Sequence, residues 1–381
     1  MENYRDYVLT DEQMDLQNFA KDFAEKELGP VVKECDEKGE FPMEVYKKFY
    51  EAGFSTMFVP TEFGGQGASS MDLVIINEQF AKVDAGFIVS ATTAEFGAMP
   101  LRLAADPELV KYYMGRVMEG QLGSFCLTEA AAGSDASATR TTATCDGDEW
   151  IINGAKCFIT SGGIADMYTV FATVDRSLGH KGIACFLVER ERPGVSVGKE
   201  EDKMGLRSSN TTEVIFDNVR IPAKNMIAPE GKGYKLAMTC LDRSRGVNSY
   251  GALAIAERAL DEAVAYAKVR KTFGKPIIAH QMVQNLLAEM DIQTTAARHL
   301  LYHCAQMCDR GNFDSKLGSV TKTFVSDTAM KVTTDAVQVM GGYGYSKEYP
   351  VEKLMRDAKI WQIFEGTNQI QRMVIAGCLA R

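Results

Sequence analysis

The 381-residue chain is predicted to be an α+β protein of three parts: an N-terminal α-helical domain (1–118), a central antiparallel β-domain (119–231) and a C-terminal four-helix bundle (232–381). Two observations predict this. Apolar residues recur at helical intervals through the first third and again from Gly233 onward. Between about Glu119 and Glu230 the pattern changes to short β-branched and aromatic runs separated by Gly, Asp, Asn and Pro. A chain of this length has room for two or three cores, and it contains no internal repeat and no low-complexity linker.

The elements follow in order. Thr10 and Gln13 read as a capping box ahead of an amphipathic helix bearing Met14, Leu16, Phe19, Phe23 and Leu28. Gly29-Pro30, Phe41-Pro42 and the glycine-rich EFGGQGASS of 62 to 70 then punctuate the helical domain. EWIING, MYTVFATV, IACFLVER and TEVIFDNVRI are the strand candidates. In GALAIAERALDEAVAYAKVR, Leu253, Ala256, Leu260, Ala263, Val264 and Ala267 form one apolar face, and Glu257, Arg258, Asp261 and Lys268 point away. Helices over 280–310 and 316–340 complete a bundle of a kind that assembles further through leftover apolar faces.

Composition narrows the function. Hydrophobic residues at 46% and charged residues at 24% describe a globular protein, and a net charge of −9 argues against a nucleic-acid surface. The nine cysteines are scattered, with no CxxC, which points to a reducing compartment. His299 and His303 have a metal-ligand spacing, but no HExxH or acidic partner completes it, so no metal is expected. No apolar run reaches the roughly 18 residues of a membrane span. The N-terminus MENYRDYVLTDEQ is too acidic for a signal, and a complete cytoplasmic protein is expected.

Several stretches offer chemistry beside a plain structural reading. FCLTEAAAGSD (125–135) presents Thr128 and Ser134 among small residues that let a ligand approach backbone N–H groups, or is simply a strand and turn. KCFITSGG (156–163) flanks a flat ring or ends a strand. RKTFGKPIIAHQ (270–281) offers Arg270 to a phosphate and Phe273 to a ring, or joins two helices. QVMGGYGYSKEYP fits neither GxGxxG nor a P-loop, and GxSxG is absent. In KIWQIFEGTNQIQR, Glu365 is either a turn carboxylate ahead of a helix capped by Thr367, whose apolar positions are Ile370, Met373, Val374 and Leu379, or a base at a reaction centre.

Taken together, LTEAAAGSD, INGAKCFITSGG, KMGLRSSNTTEVIFDNVRIP, LDRSRG, RKTFGKPIIAHQ and QVMGGYGYSKEYPVEKLMRDAKIWQIFEGTNQIQR resemble the acyl-CoA dehydrogenase family from TDEQ to the C-terminus, in its short- and medium-chain branch. The resemblance implies α, β and α-bundle domains in a homotetramer with one FAD per subunit. It implies α,β-dehydrogenation of an acyl-CoA thioester, with electrons passing to electron-transfer flavoprotein. Glu365 matches the family's base. Phe125, Leu127, Thr128, Ser134, Phe158 and Thr160 match residues lining the flavin, with Thr367 and Gln369 nearby. Arg270, Phe273, Gln281, Gln338 and Gly342 match contacts to the FAD of a neighbouring subunit, and Ser134, Asp242 and Arg245 match positions around CoA. Ser244 occupies the place where some relatives carry the base, and cannot serve as one.

Departures bear on the substrate. Ala130 and Ala131 replace the usual Pro-Gly of the TEPGAGSD loop. Ile88, Val89, Thr92 and Phe96 are expected along the acyl floor, and no arginine near Phe87 is present to pair a dicarboxylic substrate. Glu95 stands where a small polar residue is usual. It is either a surface or interface carboxylate, or a second acid/base for a cyclic or already unsaturated acyl-CoA. Operation as an enoyl-CoA reductase, an oxygen-using oxidase and a catalytically silent oligomeric scaffold are the competing functions.

Overall fold

The structure, a computed structural model, describes residues 9–380, so the acidic residues 1–8 lie outside it. Helix α1 (Asp11–Phe23) starts at Thr10, whose side chain and that of Gln13 close the expected capping box. Helices α2 (Val32–Lys38) and α3 (Met43–Glu51) lead to α4 (Ser70–Ala91), α5 (Thr93–Ala104) and α6 (Pro107–Met118). Helix α4 breaks at Asp84, which takes extended dihedrals, φ −154° and ψ 107°. The Asp84 carboxylate accepts hydrogen bonds from the Gly86 N–H at 3.2 Å and from Lys353 at 3.0 Å. Gly86 is required at the bend, because a Cβ there would lie 2.2 Å from the Ser208 hydroxyl.

The β-domain comprises β1 (Gly123–Cys126), β2 (Thr142–Asp146), β3 (Glu149–Thr160), β4 (Met167–Thr173), β5 (Ile183–Glu189), β6 (Val195–Glu200), β7 (Thr211–Pro222) and β8 (Met226–Ala228). One sheet runs β6-β7-β3-β2-β4-β5-β8, with β1 added beside β4. Most pairs are antiparallel as expected, but β1 and β2 each run parallel to β4. β4 and β5 are buried along their whole length, so their apolar runs do not alternate.

Helix α7 (Gly233–Ser244) opens the C-terminal domain and α8 (Tyr250–Val269) follows. The two-residue strands β9 (Lys271–Thr272) and β10 (Lys275–Pro276) form a hairpin before α9 (Gln281–Asp309), α10 (Ser315–Met340), α11 (Val351–Lys359) and α12 (Asn368–Leu379). α10 packs on α8, α9, α11 and α12, and α4 packs on α8 and α9, which joins the two helical domains.

Glu257 departs from expectation. It does not point to solvent but lies at 4% exposure between α4, α8 and α9. Arg298 Nε donates to it at 2.7 Å and Lys82 pairs with it at 2.9 Å, while Arg298 and Tyr302 reach Glu78 at 2.7 and 2.9 Å. Helical periodicity records which face a residue occupies, and this charge shares the apolar face because its counter-charges come from other helices. A second departure is α12. Thr367 caps it, accepting from the Ile370 N–H, yet Met373 and Leu379 are largely exposed.

Candidate active site

A cavity lies where the domains meet. Val89, Thr92, Glu95 and Phe96 line it from the α4–α5 stretch; Phe125, Leu127, Thr128, Ser134, Phe158 and Thr160 from the β-domain; Ser244, Arg245, Asn248 and Tyr250 from the end of α7 through the turn into α8; and Trp361, Phe364 and Glu365 from the segment before α12. The other expected residues lie elsewhere. Ile88 is fully buried in the core, Asp242 is half-buried in an ion pair with Arg245, Thr367 is the α12 cap, and Gln369 is exposed. Arg270, Phe273, Gln281, Gln338 and Gly342 are exposed and outside the cavity. The Arg270 guanidinium sits over the Tyr343 ring, and Phe273 is 96% exposed at the β9–β10 turn.

The β-domain side is shaped by two local devices. Between Lys156 and Ile159 the β3–β7 register slips, and Phe158 takes a left-handed φ of 54°. The bulge sends Lys156 inward and leaves Phe158 63% exposed at the cavity. Lys156, fully buried, donates to Glu129 at 2.6 Å and to the Leu127 carbonyl at 3.1 Å. Glu129 also accepts from the backbone N–H groups of Arg140 and Thr141. These bonds clamp the loop that holds Thr128. Reciprocal backbone bonds between Glu129 and Ala132 close its turn, so Ala130 and Ala131 form it without the Pro-Gly pair. Phe125, stacked on Phe96 at 4.4 Å, together with Phe158, Thr128, Ser134 and Thr160, makes a wall of rings and hydroxyls suited to a flat, hydrogen-bonding ring system.

Across from that wall is Glu365, in the left-handed region at φ 54° and followed by Gly366 at φ 88°. A non-glycine residue held in that region is strained and persists where the surroundings determine it. Gln371 donates to the Glu365 and Gly366 carbonyls at 3.2 and 2.8 Å, and Lys322 donates to the Gly366 carbonyl at 2.9 Å. Arg245 donates to Gln371 at 2.8 Å and pairs with Asp242 at 2.9 Å, so its guanidinium braces this loop. The carboxylate accepts from Asn248 at 2.8 Å and from Ser244 at 3.3 Å. Burial raises the Glu365 carboxyl above its ordinary value, opposed by Asn248, Lys322, Arg245 and Ser244. Burial likewise lowers Lys322 to about 8, opposed by Glu365. Such a carboxyl is poised to take a proton from a weak carbon acid while its partners hold its orientation.

Asn248, Gln371 and Lys322 were not read from the sequence. Gln371 falls inside the EGTNQIQR stretch, and its place one helical turn past the Thr367 cap is the available signal. Asn248 and Lys322 stand 117 and 43 residues before Glu365, and nothing local marks them.

The chain matches the N-terminal domain of acyl-CoA dehydrogenase over residues 10–121, the middle domain over 124–219 and the C-terminal domain over 231–379. It is 44% identical over 382 residues to the short-chain-specific acyl-CoA dehydrogenase of Megasphaera elsdenii, covering 99% of this chain and 100% of that one. The solved butyryl-CoA dehydrogenase of the same organism superposes with a TM-score of 0.95 at 43% identity, covering 99% and 100% of the two chains. A chain from a structure described for the electron transferring flavoprotein of Acidaminococcus fermentans and flavin-based electron bifurcation gives the same TM-score, identity and coverage. With its three domains in order and a partly buried carboxylate in a ring-lined cavity, this chain belongs to the acyl-CoA dehydrogenase family and is an oxidoreductase.

Proposed function

We propose that this enzyme is an FAD-dependent dehydrogenase that forms an α,β double bond in small acyl-CoA thioesters and passes the electrons to electron-transfer flavoprotein. The observation that carries the proposal is Glu365, strained, partly desolvated and oriented by Asn248 and Ser244 toward a cavity walled by Phe125, Thr128, Phe158 and Thr160. That wall fits a flavin ring: its aromatic faces pack against the ring, and its hydroxyls and backbone groups meet polar edges. Bound FAD supplies the acceptor for a hydride from the β-carbon.

The chain's own groups do the rest. Glu365 takes the α-proton, and its raised basicity matches it to a weak acid better than a solvated carboxylate would be. Its backbone N–H is offered to the thioester oxygen, whose negative charge grows as the proton leaves. Apolar Phe96, Trp361 and Phe364 exclude water. Arg245, engaged with Asp242 and Gln371, braces the base loop, and its contribution to the CoA portion is indirect. Arg270, Phe273, Gln281, Gln338 and Gly342, exposed on one protomer, are assigned to the FAD of a neighbouring subunit in a homotetramer.

The test is the visible spectrum of anaerobic purified protein before and after adding butyryl-CoA and branched, cyclic and unsaturated thioesters. Bleaching of a flavin band is the expected outcome. A flavin band that none of them bleaches would favour the reductase direction, and a colourless folded protein would remove the enzymatic reading.

A further inference from the structure

The cavity contains two polar side chains that Glu365 chemistry does not use. Asn77, on the first half of α4, is 5% exposed, and Glu95 lies near the start of α5; both line the same cavity as Glu365. Among the described residues, none forms a hydrogen bond with the Asn77 amide or the Glu95 carboxyl. Their polar neighbours are paired. Thr92 donates to the Ile88 carbonyl at 2.7 Å, Thr93 to the Ser90 carbonyl at 2.9 Å, and Ser244 and Asn248 to Glu365.

Val89, Phe96, Met99, Trp361 and Phe364 supply apolar lining to the same cavity. A plain alkyl chain filling this space would strip water from the amide and the carboxyl and return nothing to either. A terminal carboxylate is excluded as well. It would meet Glu95 and Glu365, and Arg245, the one cationic side chain among the lining residues described, is engaged with Asp242, Gln371 and Ser319. Burial pushes the Glu95 carboxyl up to about 7, with Arg102 on the same helix opposing, so a protonated, hydrogen-bond-donating form is accessible near neutrality. Tyr250 from α8 lines the same cavity and feels the charge of both Glu95 and Glu365, so both carboxyls lie near it.

Resting on the dehydrogenase reading above, we propose that this cavity selects acyl thioesters bearing a neutral oxygen, a hydroxyl or keto group, on a carbon beyond the two that react, and that Asn77 and Glu95 hydrogen-bond that oxygen. Asn77 offers a donor and an acceptor, and protonated Glu95 offers the same pair, so a hydroxyl is complementary to both. Sites built to hydrogen-bond a substrate hydroxyl discriminate against analogues lacking it, because their own polar groups are then stranded.

The experiment compares butyryl-CoA with 4-hydroxybutyryl-CoA as probes, reading the rate of anaerobic flavin bleaching per unit of thioester in the wild type and in Asn77→Leu, Glu95→Leu and Glu95→Gln. The expected result is a wild-type preference of about tenfold or more for the hydroxylated probe, the worth of about one good hydrogen bond. The preference falls about tenfold in each leucine variant, through faster butyryl-CoA and slower 4-hydroxybutyryl-CoA reduction. It persists in Glu95→Gln, whose amide still donates. A wild type that favours butyryl-CoA would overturn the inference, as would leucine variants with an unchanged ratio. So would a Glu95→Gln variant as impaired as Glu95→Leu, which would assign the carboxyl to proton transfer. Should neither probe bleach the flavin of the wild type, the dehydrogenase reading itself fails, an outcome distinct from a lost preference.

Discussion

At the scale of single residues, the site turns on how Glu365 is held. Its left-handed backbone aims the side chain across the cavity, and two neutral donors fix the carboxylate without neutralising it. Glu365→Gln removes the proton acceptor but keeps the shape, so turnover should fall by roughly 10²–10⁴-fold with flavin content unchanged, as measured by stopped-flow reduction. Because burial raises the Glu365 carboxyl above its ordinary value, its base form is present above that raised value and lost as pH falls through it. The reductive rate should therefore decline on acidification at a pH above the usual carboxylate range. A rate flat down to the pH of a solvated carboxylate would show that the base is not desolvated. EGT points to Glu365 through family resemblance; Ser244 cannot itself act as a base, and only the folded geometry shows it donating to Glu365.

At the scale of elements, short devices outweigh periodicity. Lys156 and Phe158 stand two apart and would share a face of a regular strand, but the bulge in β3 sends Lys156 into the interior and leaves Phe158 at the cavity. What the bulge changes is the register, and register depends on β7, more than fifty residues away. The Lys156 to Glu129 pair then fixes the loop carrying Thr128. Lys156→Met strands a buried carboxylate, so it should destabilise the protein by about 3–5 kcal/mol, observed as a lower urea midpoint, and should loosen the flavin. The capping box at Thr10 and the Thr367 cap were legible because both rest on residues within three positions of each other. The parallel partners of β4 were not, since strand direction depends on the path of the connections.

At the scale of the whole molecule, the helical domains are joined by charge as well as by apolar packing. Arg298 of α9 serves Glu78 of α4 and Glu257 of α8 together. Arg298→Met should leave both carboxylates buried with less compensation and cost about 3–5 kcal/mol, seen as a fall in Tm. Exposed apolar side chains, Phe273 at 96% and Met373 at 69%, are out of place on an isolated protomer and agree with the proposed tetramer. Phe273→Asp should yield a smaller particle in sedimentation and lose flavin in the same measurement, as expected if the cofactor is shared across subunits; a flavin-replete tetramer would detach that residue from the cofactor.

By itself the sequence determined the order of helical, β and helical domains, the caps, most of the apolar faces and, through ordered motifs, the family, and it singled out Glu365 as the candidate base. These are properties of local spacing and residue type, which survive reading one segment at a time. The tertiary structure alone decided that Glu257 is interior, that Arg245 braces the Glu365 loop through Gln371, that Asn248 and Ser244 orient the carboxylate, and that Glu95 enters the cavity with Asn77. Each of those depends on side chains brought together from distant segments. Burial and pairing are set by what packs opposite a residue, and no local pattern carries that information.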